Sequence, residues 1–239
     1  MKRVNRSISL RGSTLILRTA LLAVAVFVSY CHAQEESLNP GINDNFKDPD
    51  IQTNLERFET ESREVYNHRN EIVAALSLEE GMEVADIGAG TGFFSRMMAR
   101  KVGPTGKVYA VEIAAAFLKH INERAEKEAI ENIELVLCDQ KSTNLPPESI
   151  DLAFACDTYH HFEFPYRTLK SIHRALRPDG VLVIVDFERI EGVSREWILG
   201  HVRCGKGTVT DEIEDSGFDL VEEVPMLQEN YILRFKKRG

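Results

Sequence analysis

Short apolar runs alternate with segments of helical period along most of this chain. Between runs of strand length, apolar residues recur at intervals of three and four, as in Phe117, Leu118, Ile121 and Ala125. Strands and helices that alternate in this way predict an α/β fold with a doubly wound, mainly parallel sheet. The predicted strands are 83–87, 108–111, 133–137, 150–155 and 181–187.

A helical pattern also precedes the first strand. Apolar residues at Phe58, Val65, Ile72 and Leu76 are separated by charged and polar residues. This spacing predicts one amphipathic helix over residues 52–77.

The remaining segments complete the predicted domain organisation. Residues 34–50 are polar, contain two prolines and are predicted to be a linker. Residues 218–224 and 231–235 have the composition of two β segments joined by a short turn. Residues 51–239 are therefore predicted to form one domain.

The first 33 residues have the composition of a signal peptide. Residues 1–18 contain five basic residues and no acidic one, an apolar run follows at 19–30, and Ala33 is a small residue at the predicted cleavage site. Twelve apolar residues are fewer than the about 20 that span a bilayer. We therefore predict an exported protein, periplasmic or envelope-associated. The alternatives are that the segment stays uncleaved as a membrane anchor or that Cys31 carries a lipid anchor. We expect contact with a membrane only in these two cases, through the N-terminal segment.

Charge narrows the choice of partner. The 239-residue chain has 29 basic and 38 acidic residues, and removing residues 1–33 leaves 24 basic against 38 acidic residues, a net charge of −14. A surface this acidic repels phosphate backbones, so no nucleic-acid partner is expected. A small-molecule substrate is predicted instead.

The strongest chemical signal is a glycine-rich turn directly after the first predicted strand. Gly88, Gly90 and Gly92 occupy alternate positions, and an apolar helical segment begins at Phe93. Glycines permit a tight turn and a close approach of the backbone to a ligand, while a helix start offers unpaired N–H groups. Glu112 directly follows the second predicted strand, twenty residues after Gly92. At that distance an acidic residue can accept hydrogen bonds from ribose hydroxyls. These features predict a nucleoside-binding corner of a parallel sheet.

The spacing of the glycines distinguishes between two kinds of bound ligand, a dinucleotide and a nucleoside with a cationic group. Dinucleotide-binding turns have the pattern G-x-G-x-x-G, whereas this turn has G-x-G-x-G and follows Asp86 at the strand end. A carboxylate there disfavours a pyrophosphate and suits a ligand with an ammonium or sulfonium group. An NAD(P)-dependent oxidoreductase is therefore the weaker alternative, and a glycine turn without any ligand is another.

The segment Asp86-Ile-Gly-Ala-Gly-Thr-Gly92 resembles the first motif of class I S-adenosylmethionine-dependent methyltransferases, and the resemblance covers residues 55–236. It implies a Rossmann-like, seven-stranded sheet that ends in a C-terminal antiparallel pair. It also implies S-adenosyl-L-methionine as cofactor and methyl transfer to an unidentified small molecule. The chain is similar in appearance to the branch that includes quinone and arsenite methyltransferases.

The same resemblance implies roles for single residues. Glu112 is expected to hold the ribose hydroxyls, Asp139 with Gln140 to contact the adenine amine, and Asp157 to face the sulfonium. For Asp157 the alternative is a helix cap. The predicted cofactor-binding residues are Asp86, Gly88, Ala89, Gly90, Gly92, Glu112, Asp139, Gln140 and Asp157.

Two neighbouring histidines follow the fourth strand, at the predicted mouth of the substrate site. His160 and His161 are predicted to contact the substrate. No metal site is predicted, because no third ligand with suitable spacing lies nearby in the sequence. No catalytic residue is predicted either, because the sulfonium already activates the methyl carbon, and the protein mainly aligns the reactants and excludes water.

Residues 197–206 are expected to cover the substrate. Within them, Arg203 and Lys206 are expected either to bind an anionic substrate or to be solvated. In the sheet order that the resemblance implies, Cys138 and Cys156 lie three strand spacings apart and are not expected to form a disulfide. The full set of thiols that an arsenite methyltransferase needs is missing, and a non-catalytic nucleoside-binding module in the envelope remains the alternative to an enzyme.

Overall fold

Seven strands form one sheet in the part of the protein that the computed structural model describes, residues 34–239. The predicted signal peptide, residues 1–33, lies outside the described residues. The strand order is β3-β2-β1-β4-β5-β7-β6. The strands are β1 (Glu83–Ile87), β2 (Lys107–Glu112), β3 (Ile133–Leu137), β4 (Ile150–Cys156), β5 (Leu176–Phe187), β6 (Phe218–Glu223) and β7 (Asn230–Lys237).

Strand pairing is parallel from β3 through β5 and antiparallel where β7 joins β5 and β6. This arrangement confirms the predicted α/β fold, with a doubly wound, mainly parallel sheet and a C-terminal antiparallel pair. The chain runs from β1 outward to β3 and then returns to β4 on the other side of β1. In such sheets the crevice at the point of reversal, outside the carboxyl ends of the strands, is where ligands bind.

Helices cover both faces of the sheet. Within residues 34–239 they are α1 (Ile51–Phe58), α2 (Glu64–Asn67), α3 (Arg69–Ala75), α4 (Phe93–Val102), α5 (Ala115–Lys127), α6 (Pro165–Ala175), α7 (Glu196–His201) and α8 (Lys206–Asp215), with single 3-10 turns at Asp44–Phe46 and Tyr159–His161. None of the helices in this range is long and apolar enough to cross a bilayer.

The prediction of one helix over residues 52–77 was wrong, because the segment forms α1, α2 and α3. Between α1 and α2 the chain turns, and Glu59 reaches the glycine-rich turn. Its carboxylate accepts a hydrogen bond from Thr91 Oγ1 at 2.8 Å and lies 3.4 Å from the Arg96 guanidinium. Helix propensity is a weak preference that tertiary contacts of this kind override.

Both faces of the central strands of the sheet are buried. On β4, Ala153 and Ala155 pack into one apolar cluster, while Leu152 and Phe154 pack into another. Successive side chains of a strand point to opposite faces. A strand covered on both sides is therefore mainly apolar, which is why residues 152–156 of β4 appear in the sequence as a continuous apolar run after the half-buried Asp151.

The residues ahead of α1, predicted as a linker, pack against the domain. The Leu38 amide donates a hydrogen bond to the Glu163 carbonyl at 2.8 Å. The ring of Phe46 lies 6.4 Å from Phe117 and 5.3 Å from His161, measured between centroids. This segment therefore contributes an aromatic side chain to the region at the carboxyl ends of the strands.

Candidate cofactor and substrate site

A cavity of about 730 Å³ opens at the carboxyl ends of β1, β2 and β4. Small-molecule and cofactor sites typically have volumes of ~300–1,000 Å³. Eight of the predicted site residues line it, namely Asp86, Gly88, Ala89, Gly90, Glu112, Asp157, His160 and His161. The structure therefore gathers most of the predicted cofactor and substrate residues around one cavity.

The three glycines of the turn have different surroundings. Gly88, Gly90 and Gly92 have φ angles of 71°, 52° and 70°, in the left-handed region where side chains are strained. A Cβ atom on Gly92 would lie 2.5 Å from Cγ1 of Ile121, and one on Gly88 would also collide with a side chain. A Cβ atom on Gly90 would meet only Phe58, at 3.6 Å. Packing therefore requires glycine at positions 88 and 92, whereas Gly90 has space beside it and lines the cavity.

Glu112 is held by backbone amides at the end of β2. Its Oε1 accepts hydrogen bonds from the N–H groups of Ile113 and Ala114 at 2.7 and 3.0 Å, and its Oε2 accepts one from Gly90 at 2.8 Å. Burial raises the pKa of this carboxyl group, and the three amides oppose the increase. Each carboxylate oxygen accepts about two hydrogen bonds. Oε2 therefore retains one acceptor position for a hydroxyl group, while Oε1 has none.

Asp86 is a buried carboxyl group at the end of β1, 3% exposed. The Ser95 hydroxyl donates to Oδ2 at 2.5 Å, and the Ser95 backbone amide also stabilises the charged carboxyl group. Burial raises the pKa of Asp86 to about 7, although the Ser95 hydrogen bond opposes the shift. A cationic ligand group beside this side chain would favour its ionised form.

Asp157 adopts a φ of 49° directly after β4, and its side chain is only 5% exposed. Its Oδ2 forms an ion pair with Arg63, and its Oδ1 accepts a hydrogen bond from Asn230 Nδ2 at 2.6 Å. Burial raises the pKa of Asp157, and the guanidinium opposes this. A sulfonium at this position would therefore meet an ion pair and not an isolated carboxylate. The role of Asp157 toward the cofactor stays a prediction.

Three predicted cofactor residues lie outside the cavity lining. Gly92 packs against α5, as described above. The Asp139 side chain accepts a hydrogen bond from the Lys141 amide at 2.7 Å, and Gln140 Nε2 donates to Glu163 Oε1 at 2.8 Å. The adenine contacts assigned to Asp139 and Gln140 stay predictions.

Several lining residues were not identified from the sequence. Arg63 lies between α1 and α2 and Asn230 begins β7, and neither belongs to a motif. The rings of Phe58, Phe117 and Phe46 form an aromatic wall with centroid separations of 6.4 to 6.5 Å. An isolated phenylalanine on an amphipathic helix is normally part of a core, so no local signal marked these rings as part of a site.

The structure brings a third histidine to the predicted substrate residues. His201, at the end of α7, lies 5.1 Å from His160 and 5.2 Å from His161 between ring centroids. Sequence spacing did not reveal this third histidine, because 40 residues of chain separate His201 from His161. The candidate ligand atoms of the three lie within 4.8 Å of one another.

The three imidazoles have different electrostatic surroundings. Burial lowers the pKa of His161 to about 2, with further contributions from the neighbouring histidines, and it also lowers the pKa of His201. Burial alone would lower the pKa of His160 too. The Asp186 carboxylate outweighs it, so that the pKa of His160 is raised. His160 Nδ1 lies 2.7 Å from Asp186 Oδ1.

Neither basic residue predicted near the substrate lines the cavity. Arg203 donates two hydrogen bonds to Glu212, at 2.8 and 2.7 Å. Lys206 forms ion pairs with Glu188 and Glu223. The expectation was therefore wrong for Arg203, which is only 15% exposed and is paired within the protein, whereas Lys206 keeps 31% of its side chain exposed and is still partly solvated.

The cysteines are free within the described residues. Cys138 and Cys156 follow or end strands that lie three positions apart in the sheet, so the prediction that they do not pair is confirmed. Burial raises the pKa of Cys138 to about 12 and that of Cys204 to about 11. All three thiols are therefore neutral at physiological pH and poorly suited to thiolate chemistry.

Fold and site together define a class of protein. The strand order, the glycine-rich turn and the two acidic residues at the ends of β1 and β2 are the arrangement of class I S-adenosylmethionine-dependent methyltransferases. The sequence profile of the methyltransferase domain family matches residues 78–225, and the chain belongs to this family. The predicted family and its cofactor, S-adenosyl-L-methionine, are thereby confirmed, and the NAD(P) alternative is set aside.

Individual relatives are more distant. The ubiquinone/menaquinone biosynthesis C-methyltransferase of Bordetella avium is 26% identical over 145 residues, which are 59% of this chain and 56% of that protein. The chain thus spans about half the length of the curated relatives it matches.

Solved structures share the fold. A methyltransferase from Aquifex aeolicus described as SAM dependent has a TM-score of 0.70 at 23% identity, covering 80% of this chain and all of that one. The [4+2]-cyclase SpnF has a TM-score of 0.65 at 15% identity, covering 93% of this chain and 95% of that one. Because a protein described as a cyclase shares this fold, the fold by itself does not determine the reaction.

Proposed function

We propose that this protein transfers a methyl group from S-adenosylmethionine to a small molecule bound in the same cavity. The observation that carries the proposal is the continuity of the cavity. It extends from the corner formed by Asp86, Gly90 and Glu112 to a wall of imidazole and aromatic side chains. The polar end of the cavity is therefore suited to the nucleoside and the amino-acid part of the cofactor. The other end is left for the methyl acceptor.

The residues of the corner fit the cofactor. Asp86 places a buried carboxyl group in the lining of the cavity, which suits an ammonium group. Glu112 Oε2 has an acceptor position left for a ribose hydroxyl, and Gly90 leaves room for close approach of a ligand. When bound, the cofactor supplies a methyl group made electrophilic by the attached sulfonium.

The protein's part in the reaction is alignment and exclusion of water. A methyl acceptor placed against the imidazole wall would share one cavity with a cofactor bound at Glu112. Phe58, Phe117 and Phe46 contribute apolar surface to the lining of this cavity. Holding two reactants in line in this way accounts for ~7–11 kcal/mol of a typical barrier reduction. A dedicated general base is therefore not needed for the proposed reaction.

The small-molecule assignment is supported by the volume of the cavity, about 730 Å³, and by the strongly acidic chain, which disfavours nucleic acid. The Bordetella avium relative is named for ubiquinone/menaquinone biosynthesis. From this relative we infer only the general class of the substrate of the present protein, which is a small molecule.

We also propose that residues 1–33 direct export, so that the reaction takes place in the periplasm or at the envelope. The basic start, the apolar run of twelve residues and the small residue at position 33 support this. Mass spectrometry of the protein from fractionated cells tests the proposal. A chain that begins at residue 34 in the periplasmic fraction is expected, and a full-length chain confined to the cytoplasmic fraction would contradict it.

Calorimetric titration with S-adenosylhomocysteine, with NADH as the control, tests the proposed cofactor site. Micromolar binding of the first compound alone is expected, followed by release of S-adenosylhomocysteine when the protein is incubated with S-adenosylmethionine and candidate acceptors. Binding of the cofactor without turnover of any acceptor would instead favour a non-catalytic binding module. No binding of S-adenosylhomocysteine would refute the proposed function.

Cofactor affinity should depend on pH through Asp86. With a pKa of about 7, this side chain is mostly protonated at pH 6 in the ligand-free protein. The ammonium group of the cofactor needs the ionised form, so binding releases a proton below pH 7. We expect S-adenosylhomocysteine to bind about tenfold more tightly at pH 8 than at pH 6. Calorimetry at both pH values measures this, and Asp86→Asn should remove the dependence; a flat profile in the wild-type protein would contradict the prediction.

Substitutions in the glycine turn should separate packing from ligand binding. Gly92→Ala is expected to lower the free energy of unfolding by about 1–3 kcal/mol, because its methyl group overpacks against Ile121. Gly90→Ala should cost only about 1 kcal/mol of backbone strain but should weaken S-adenosylhomocysteine binding at least tenfold. Urea denaturation and calorimetry measure the two effects. The prediction would be contradicted if Gly90→Ala lost as much stability as Gly92→Ala and still bound S-adenosylhomocysteine with wild-type affinity. That result would show that no ligand approaches Gly90.

A further inference from the structure

We propose that His160, His161 and His201 bind a divalent transition-metal ion of the Zn²⁺ class at the wall of the cavity. The three side chains come from two separate parts of the chain, the 3-10 turn after β4 and the end of α7. Their candidate ligand atoms lie within 4.8 Å of one another. Zn–N bonds of ~2.0–2.1 Å in a tetrahedral site place ligand nitrogens about 3.4 Å apart. Shortening these separations by at most about 1.4 Å would therefore complete the coordination.

Asp186 orients one of the three ligands as a metal site requires. Its two carboxylate oxygens contact His160, with Oδ1 2.7 Å from the ring Nδ1 and Oδ2 accepting from the backbone amide at 2.9 Å. A carboxylate beside Nδ1 keeps the proton on that nitrogen, so that Nε2 presents a lone pair. Metal-binding histidines almost always have such a partner on the other ring nitrogen. Asp186 is 1% exposed, and its charge would partly balance that of the ion.

The other two histidines also have the features expected of ligands. His161 Nδ1 is buried and has no hydrogen-bond partner among the described residues. A buried polar atom without a partner is uncommon and needs an explanation, which a metal ion would supply. The His201 ring is stacked on Trp197, with centroids 4.9 Å apart and an angle of 22° between planes. Packing therefore holds this imidazole facing the other two.

The position of the cluster indicates what the ion would do, and this step rests on the proposed methyl transfer. All three histidines line the cavity, and a site with three protein ligands keeps one coordination position open. An acceptor hydroxyl or thiol bound there would lose its proton to solvent more readily. Its lone pair would then form the bond to the methyl carbon, while the electron pair of the broken carbon–sulfur bond stays on sulfur.

Cobalt titration of the full chain, freed of metal by chelation and carrying no polyhistidine tag, tests the site. We expect one equivalent of Co²⁺ to bind with the visible absorption of a tetrahedral ion and to be displaced by Zn²⁺. His201→Ala should weaken Co²⁺ binding at least tenfold, and His201→Gln serves as a second variant that keeps the bulk of the side chain. His68→Ala is the matched control, because His68 is a histidine outside the cavity lining, and it should bind as the wild type does.

Two outcomes would overturn the metal site. One is no uptake of Co²⁺ by the wild-type protein. The other is equal uptake by the wild type and both His201 variants, which would leave the histidines as an aromatic packing cluster. S-adenosylhomocysteine binding is measured on the same samples to separate the proposals. If the wild-type protein binds S-adenosylhomocysteine but takes up no Co²⁺, only the metal site is refuted. If the wild-type protein does not bind S-adenosylhomocysteine, the proposed function is refuted instead.

Discussion

Replacing Glu112 by alanine is expected to weaken S-adenosylhomocysteine binding by about 1–3 kcal/mol, or roughly 5- to 150-fold. Two losses combine in this variant. The carboxylate is the proposed acceptor for a ribose hydroxyl, and it also holds the amide of Gly90 in the turn that contacts the ligand. Without it, both the hydrogen bond to the ligand and the shape of the turn are affected.

The measurement is calorimetric titration of variants shown to be folded by circular dichroism. Glu134→Ala provides a matched control, because this glutamate lies on the neighbouring strand β3 and its side chain is 52% exposed. The control should bind S-adenosylhomocysteine with wild-type affinity. A folded Glu112→Ala variant with unchanged affinity would remove Glu112 from the cofactor site.

Arg203→Met should have the largest effect on stability, lowering the free energy of unfolding by about 3–5 kcal/mol. The Arg203 and Glu212 side chains are only 15% and 7% exposed, and they share two hydrogen bonds. Tyr159 donates a further hydrogen bond to Glu212 at 2.8 Å. Removing the guanidinium would leave a buried carboxylate with this single partner.

Urea denaturation measures the loss, and two further variants identify its cause. The double variant Arg203→Met/Glu212→Leu should recover much of the stability, because no charge is then left without its partner. Lys107→Met breaks an exposed ion pair with Glu134 and should cost about 1 kcal/mol or less. If Arg203→Met and Lys107→Met prove equally mild, the buried pair contributes little.

The same pair has a consequence for the site. Arg203 lies two residues after His201, and Tyr159 immediately precedes His160. The contacts of Arg203 and Tyr159 with Glu212 therefore tie together the two parts of the chain that hold the histidine cluster. A variant that loosens this network should also lower metal uptake, even though none of these three residues is a proposed ligand.

Local patterns were sufficient to place the strands and one half of the candidate site. The bounds of β1 and β3 follow from apolar runs, and the position of Asp86 and Glu112 at strand ends follows from where those runs stop. The glycine turn is equally local, because positive φ angles at Gly88 and Gly92 can be anticipated from three alternating glycines. Parallel strands bring their carboxyl ends to one edge, so these residues had to meet.

The other half of the candidate site, around Asp157 and the histidines, was decided only by the tertiary structure. Asp157 is held by Arg63 and Asn230, which are 94 and 73 residues away in the sequence, and His201 joins His160 from 41 residues away. No periodicity links such positions, because their meeting depends on how helices and loops pack over the sheet. The sequence by itself thus determined the strands of the sheet, the glycine-rich turn with its neighbouring acidic residues, and the family. Packing between distant segments determined the broken helix before β1, the ion pair at Asp157 and the three-histidine cluster, because contacts of that range are selected by the whole fold and not by any local pattern.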